Sequence, residues 1–221
     1  MPYIHLLFPG QGSQYVGMGS GLSKSVQNEI FETADSALGY KLSKLMLSGP
    51  DSELAITENT QPAVLTHSIG LLKEFSNIFP KDNWGTLLGH SVGEYAALVA
   101  AGSLDFKDAL KLVHLRGKFM QEACPKGLGA MLALLKVSPE LVQKACETIG
   151  LDRVMPANFN SPEQTVISGE AKACAEVREW IENNYDSPFR AIKLNVSAPF
   201  HSKLMKPAAE KLKNELENIE F

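Results

Sequence analysis

Along the first half of the chain, short apolar runs alternate with apolar residues at helical spacing. Tyr3 to Phe8 is a largely apolar run that ends in the loop Pro9-Gly10-Gln11-Gly12-Ser13-Gln14, the pattern of a buried strand. Val26, Ile30, Phe31, Ala34 and Leu38 recur at helical spacing and predict a helix over 26–38. Gln61-Pro62 opens a second predicted helix that reaches about Phe79, with Pro62 in its first turn and Pro80 just past its end. Thr86-Leu87-Leu88 reads as a short buried strand, and an Ala-rich helix closed by Gly102 follows it. Strands alternating with helices predict an α/β fold, a mostly parallel sheet with helices on both faces.

After Cys124-Pro125-Lys126-Gly127 the rhythm changes. Leu128 to Lys136 reads as a strand, and Ser138-Pro139-Glu140 caps a helix through Ile149. Arg153 to Asn158 and Thr165 to Ser168 read as strands joined by the turn Asn160-Ser161-Pro162-Glu163. Glu170 to Asn183 is a predicted helix and Phe189 to Val196 a fourth strand. The order β-α-β-β-α-β is that of a ferredoxin-like unit. The expected organisation is therefore a large α/β domain over 1–125, continued by 197–221, with a small ferredoxin-like domain inserted at 126–196. A last helix begins at about Lys203.

Composition narrows the function classes. With 221 residues, 44% hydrophobic and 21% charged, the chain is long enough for one large or two smaller soluble domains. A net charge of −4 points to neither nucleic acid nor a membrane surface. No apolar run approaches the length of a membrane span. Met1-Pro2-Tyr3-Ile4-His5 has no basic n-region, so no secretory signal is expected. Cys124, Cys146 and Cys174 are odd in number and far apart, so neither a disulfide framework nor a zinc site is expected. They read as small, half-buried hydrophobes in a reducing cytosol.

The chemistry concentrates around Gly89-His90-Ser91-Val92-Gly93. A strand, then Gly-x-Ser-x-Gly, then a helix is the order of a nucleophile elbow. Side chains at Gly89 and Gly93 would clash across so sharp a bend. The turn sets Ser91 at a helix start, where the Val92 N–H can stabilise a developing oxyanion. The loop Gly10 to Gln14 can supply the second N–H. It is no dinucleotide fingerprint, because Tyr15 stands where a third glycine belongs.

A serine hydroxyl needs a base. Of the five histidines, His5 lies in a predicted strand, His67 in mid-helix, His114 on a polar helix face and His90 on the far side of the elbow. His201 stands on a loop after a strand, where a base is placed on a rigid scaffold. On the helix predicted from Phe106 to about Gln121, Arg116 shares a stripe with Ala109, Val113 and Met120. A guanidinium keeps its charge, so on an apolar face it needs either an internal carboxylate or an anionic ligand such as a substrate carboxylate. Both alternatives stay open on the sequence alone.

Phe8-Pro9-Gly10-Gln11-Gly12-Ser13-Gln14, Gly89-His90-Ser91-Val92-Gly93-Glu94-Tyr95, Arg116-Gly117-Lys118-Phe119-Met120-Gln121 and Ser197-Ala198-Pro199-Phe200-His201-Ser202 occur in this order, with Ala157-Asn158-Phe159-Asn160-Ser161-Pro162 and Val166-Ile167-Ser168-Gly169 between the last two. Together they resemble the malonyl-CoA:acyl carrier protein transacylases of fatty-acid synthesis, over essentially the whole chain. The resemblance implies a hydrolase-like α/β domain with a ferredoxin-like insert. It implies Ser91 as the malonylated nucleophile, His201 as base, the N–H groups of Gln11 and Val92 as oxyanion hole, and Arg116 as the grip on the malonyl carboxylate. Met120 and Phe200 become pocket walls. The implied donor is malonyl-CoA, and the implied acceptor is the phosphopantetheine thiol of acyl carrier protein. No cofactor or metal of its own is implied, and a monomer is expected. Family members run longer and carry a Gly-Pro-Gly loop that orients the histidine, so this chain is expected to be a fragment of a longer protein.

Two rival functions remain at this level. A serine esterase or thioesterase shares the elbow but needs an acid between serine and histidine, for which Asp152 and Asp186 are available. A carrier-protein-binding module without catalysis would use Lys203, Lys206, Lys211 and Lys213 against an acidic partner.

Overall fold

A computed structural model describes residues 3–125, 127–196 and 198–221. Met1 and Pro2, Lys126 at the expected opening of the insert, and Ser197 at the head of the histidine loop lie outside the described residues. The chain divides into two compact units, one of residues 1–118 with 212–221 and one of residues 119–211.

In the first unit, β1 (Ile4–Phe8) leads to α1 (Lys24–Leu38), α2 (Leu42–Ser48), α3 (Asp51–Leu54) and α4 (Thr57–Ser76). β2 (Trp84–Gly89), α5 (Gly93–Ala101) and the start of α6 (Phe106–Glu122) follow. β1 and β2 pair in parallel, with Leu6 opposite Leu87 and Phe8 opposite Gly89. Both strands therefore end at the same edge, which places the Pro9–Gln14 loop beside the elbow. Ile4, Leu6 and Phe8 turn inward, while His5 and Leu7 turn outward, as the period of a strand requires. The parallel pairing is as expected, but among the described residues this sheet has two strands. Its register partners Leu7 and Leu88 are 74% and 51% exposed, so helices cover one face here and not both.

α4 is buried from Thr60 to Gly70 except at His67, which makes it the central helix of this core. It begins at Thr57, four residues before the position expected from Pro62. Pro62 therefore sits inside the helix, where it has no N–H to give the Glu58 carbonyl. His114 repairs this: its Nδ1 lies 3.3 Å from that carbonyl oxygen. Since a carbonyl only accepts, Nδ1 carries the proton. His114 also has its Nε2 3.6 Å from Glu58 Oε1 and its ring against Tyr40, so the solvated role expected for it is replaced by a structural one. A Cβ on Gly117 would lie 2.7 Å from the Glu58 Cα, so α4 and α6 meet there backbone to backbone.

The second unit holds β3 (Gly129–Leu135), α7 (Pro139–Ile149), β4 (Val154–Ser161), β5 (Gln164–Glu170), α8 (Ala171–Asn184) and β6 (Arg190–Lys193). α9 (Lys206–Leu216) comes last and continues beyond this unit. The sheet runs β4-β5-β3-β6 with every neighbour antiparallel. Ser138 caps α7 through its side chain, which accepts from Leu141 N–H at 3.3 Å. β6 is shorter than the expected 189–196, and the β4–β5 turn is a two-residue Pro162-Glu163 hairpin. Leu134 and Ile167 face a core with Val142, Cys146, Val177 and Ile181 of the two helices. Met131, Ala133 and Val166 face a second cluster with Met120, Phe200 and Met205. Because that cluster draws in the end of α6 and the segment after β6, the compact unit is wider than 126–196. All three cysteines are free and buried, not half-buried as expected.

Candidate functional site

Ser91 takes up a left-handed backbone, φ 53°, between the end of β2 and the start of α5. A residue with a Cβ adopts this region at a cost and keeps it only where its surroundings force the turn. A Cβ on Gly89 would lie 2.1 Å from the Gly93 carbonyl carbon, and one on Gly93 would lie 2.3 Å from the Phe8 carbonyl oxygen. The strand, the loop after β1 and the helix start thus touch through backbone alone. The His90 N–H donates to the Phe8 carbonyl at 2.9 Å, and the His90 carbonyl accepts from Gly93 N–H at 2.9 Å. The His90 backbone thus joins the turn to the end of β1 and to the start of α5. The intra-turn bonds begin at Gly93, one residue past Val92, which leaves the Val92 N–H ahead of the helix ladder.

Gln11 lies in the loop after β1, and its Nε2 donates to Thr57 Oγ1 at 3.2 Å. Thr57 is the first residue of α4, and Gln61 stands one turn further along the same helix face. Gln61 is 1% exposed, and its Oε1 accepts from Arg116 Nη1 at 2.6 Å. The other arm of the guanidinium, Nη2, donates to Ser91 Oγ at 3.2 Å. The Tyr95 ring centroid lies 5.9 Å from its central carbon. Burial lowers the Arg116 pKa from its usual value, against the opposing effects of Tyr95 and then Glu94. Among the described residues Arg116 forms no ion pair, and the Glu94 carboxylate acts on it only from beyond contact distance. The charge is held beside the serine by two neutral oxygens and a ring.

In the second unit His201 also has a left-handed backbone, φ 57°. Its turn is set by Phe200 N–H donating to the Ala198 carbonyl at 3.0 Å and Ser202 Oγ donating to the Pro199 carbonyl at 2.7 Å. Pro199 packs so closely on β3 that a Cβ on Gly129 would lie 2.3 Å from its Cγ. Phe200 and Met120 are buried in the cluster that carries this turn. Asp152 is taken by Lys203, whose ammonium holds its carboxyl below the usual range through a hydrogen bond and its charge. Lys211 pairs with Glu122 at 2.8 Å and Lys213 with Glu217 at 3.8 Å, so three of the four lysines read as a docking patch already have acidic neighbours.

Sequence reasoning passed over Gln61, Thr57 and Tyr95. The one signal available was the four-residue spacing of Thr57 and Gln61, which required knowing that the helix begins before Pro62. Among the described residues no cluster of His, Cys, Asp or Glu is placed to hold a metal, and no helix is long and apolar enough to cross a membrane.

A serine in a left-handed strand-to-helix turn, with a guanidinium donating to its hydroxyl, is an arrangement suited to acyl transfer. The Acyl transferase domain family model matches residues 5–221. The malonyl CoA-acyl carrier protein transacylase of Bacillus subtilis (strain 168) is 48% identical over 98% of this chain and 68% of its own length. The enzyme of the same name from Escherichia coli K12 is 46% identical over 100% of this chain and 72% of its own. The chain belongs to the malonyl CoA-acyl carrier protein transacylase family. The crystal structure of the transacylase from Clostridium perfringens superposes with a TM-score of 0.92 at 41% identity, over 99% of this chain and 69% of that one. A type II PKS acyl-carrier protein in complex with its malonyl-transacylase matches with a TM-score of 0.92 at 43% identity, over 99% of this chain and 71% of that one.

Proposed function

We propose that this chain moves a malonyl group from malonyl-CoA to the phosphopantetheine thiol of acyl carrier protein through an ester on Ser91. In the first half-reaction the Ser91 oxygen bonds to the malonyl thioester carbon and the carbon–sulfur bond breaks. His201 takes the serine proton and returns it to the departing CoA thiolate. In the second, His201 takes the proton of the incoming thiol, sulfur bonds to the ester carbon, the bond from that carbon to the Ser91 oxygen breaks, and the proton goes to the departing Ser91 oxygen. The N–H groups of Gln11 and Val92 hold the oxyanion of each tetrahedral intermediate. Arg116 grips the free carboxylate, with Met120 and Phe200 as pocket walls. Two substrates meeting one covalent intermediate in turn give ping-pong kinetics.

The observation that carries this reading is Arg116 donating to the Ser91 hydroxyl while forming no ion pair among the described residues. A hydrolase of neutral esters has no use for such a charge, and the Lys203 contact of Asp152 weighs against an esterase triad. Strand order β4-β5-β3-β6, all antiparallel, supports a ferredoxin-like subdomain, and the elbow at the end of a parallel pair supports a hydrolase-like one. Buried free thiols support a reducing, cytosolic setting.

The test is incubation with radiolabelled malonyl-CoA followed by peptide mapping. Stable label on Ser91, absent from Arg116→Ala and discharged by holo acyl carrier protein, is the expected result. Prompt release of free malonate without a trapped ester would instead identify a hydrolase.

A further inference from the structure

A buried arginine that must bind an anion faces a difficulty, because any carboxylate of the protein within reach will bind it first. Arg116 is kept from this by the choice of residue at 61. The Gln61 side chain accepts from Nη1 at 2.6 Å, at the short end for a bond from a charged donor, from a position 1% exposed to solvent. A glutamate would fit the same space and accept the same bond. It would also place a full negative charge on the guanidinium where water screens it little. An amide fixes the plane of the fork and adds no negative charge to that of Glu94, which acts from beyond contact distance.

The surrounding contacts make this geometry rigid. The Gly117 approach to Glu58 and the His114 bond to the Glu58 carbonyl lie one and two residues from Arg116, and they hold α6 against α4. Thr57, four residues before Gln61, holds Gln11. One face of the first turns of α4 thus supports both the loop beside the elbow and the cation.

Resting on the malonyl-transfer reading, we propose that Gln61 is a specificity-determining positioning residue: its neutral amide orients Arg116 toward Ser91 and keeps the guanidinium charge for a carboxylate on the acyl chain. Selection of a carboxylated over a neutral acyl group then depends on residue 61 carrying no charge, and the grip on that carboxylate on its accepting from Arg116.

The experiment compares Ser91 acylation by malonyl-CoA and by acetyl-CoA in the wild type, Gln61→Glu and Gln61→Met. Gln61→Glu is expected to lower kcat/KM for malonyl-CoA on the order of 10²-fold, chiefly through KM, and to leave acetyl-CoA within about threefold. Lowering the pH until the introduced carboxyl is protonated is expected to restore part of the malonyl preference. Gln61→Met, neutral but unable to accept, is expected to keep most of that preference with a raised KM for malonyl-CoA. An unchanged malonyl-to-acetyl ratio in Gln61→Glu, or equal loss on both substrates in a folded protein, overturns the proposal. Should Gln61→Glu fail to fold, an unaltered malonyl KM in Gln61→Met overturns it as well. A wild type that takes no malonyl label on Ser91 sinks the functional reading, whereas labelling with wild-type ratios in the variants sinks the role of Gln61 alone.

Discussion

Arg116 Nη2 donates to Ser91 Oγ across 3.2 Å, so the cation rests on the hydroxyl it is proposed to serve. A carboxylate on a bound acyl chain is a stronger acceptor than a hydroxyl and takes that N–H over. The fork matters here as well as the charge. One arm is already committed to Gln61, and a lysine ammonium cannot hold Gln61 and a bidentate carboxylate together. Arg116→Lys is expected to reduce kcat/KM for malonyl-CoA by about 10²-fold, which corresponds to about 3 kcal/mol. The loss on acetyl-CoA is expected to be at most a few-fold. Steady-state kinetics on both donors check it.

Gly93 carries the elbow through an approach no other residue permits. A Cβ there would meet the Phe8 carbonyl oxygen at 2.3 Å and the Pro9 carbonyl oxygen at 2.7 Å, both backbone atoms of the loop start. Gly93→Ala must push β1 and α5 apart, a strain of about 1–3 kcal/mol or more. Ser91 labelling is expected to fall far more than the melting temperature, because the displaced atoms are those that set the left-handed Ser91 turn. Thermal melts beside malonyl labelling separate the two effects.

Thr57 links the first turn of α4 to the Gln11 side chain at 3.2 Å. Thr57→Val keeps the shape of this fully buried residue and removes the acceptor. A stability loss of about 1 kcal/mol is expected. If Gln11 contributes its N–H to the oxyanion hole, kcat falls up to about tenfold with little change in KM, since the oxyanion exists only beyond the ground state. A rise in KM with kcat unchanged would place Gln11 in substrate binding instead.

Burial pushes the Cys146 thiol up to about 12 and the Cys174 thiol up to about 11, from an ordinary 9.0. For Cys146 the nearby Cys174 and Glu147 add to the desolvation. The folded state therefore keeps these protons where the unfolded chain has released them. Stability from this source is intact below the ordinary thiol pKa and declines as pH rises above it, until the folded pKa values are passed. Urea midpoints measured between about pH 7 and about pH 10.5 are expected to drop, and Cys146→Ala to shallow that drop while lowering the neutral-pH midpoint through its cavity. Thiol reagents are expected to label Cys146 and Cys174 only as the protein unfolds.

The elements easiest to read from the sequence were those with local punctuation. Ser138-Pro139-Glu140 announces α7, and the Ser138 cap is present as expected. The two glycines about Ser91 announce the elbow, and Arg116 stood out as a charge in an apolar stripe. α2 and α3 passed unnoticed, being seven and four residues long and too short for an amphipathic period to show. Gln61 was invisible because its importance comes from what it lacks, a charge, next to a helix remote in sequence. The start of α4 was misplaced for a tertiary reason. A proline within a helix is read as its first turn unless a distant side chain meets the orphan carbonyl, and no local pattern announces His114.

That compensation can be measured directly. The Pro62 ring removes the N–H due to the Glu58 carbonyl, and His114 Nδ1 supplies a donor in its place at 3.3 Å. His114→Phe keeps a ring against Tyr40 but leaves the carbonyl without that donor, at a cost of about 1–3 kcal/mol. Pro62→Ala restores the helix's own N–H. In the wild-type background the carbonyl already has a partner, so this change is expected to have little effect beyond the altered freedom of the unfolded chain. In His114→Phe it is expected to recover about 1 kcal/mol or more, giving clear non-additivity in a double-mutant cycle by urea denaturation. Additive effects would mean that His114 and Pro62 act independently, and that the histidine earns its place on α6 through Glu58 Oε1 or Tyr40 alone. Because α4 also carries Gln61, the recovered variant is expected to regain malonyl labelling along with stability, tying the repair of one backbone carbonyl to the setting of Arg116.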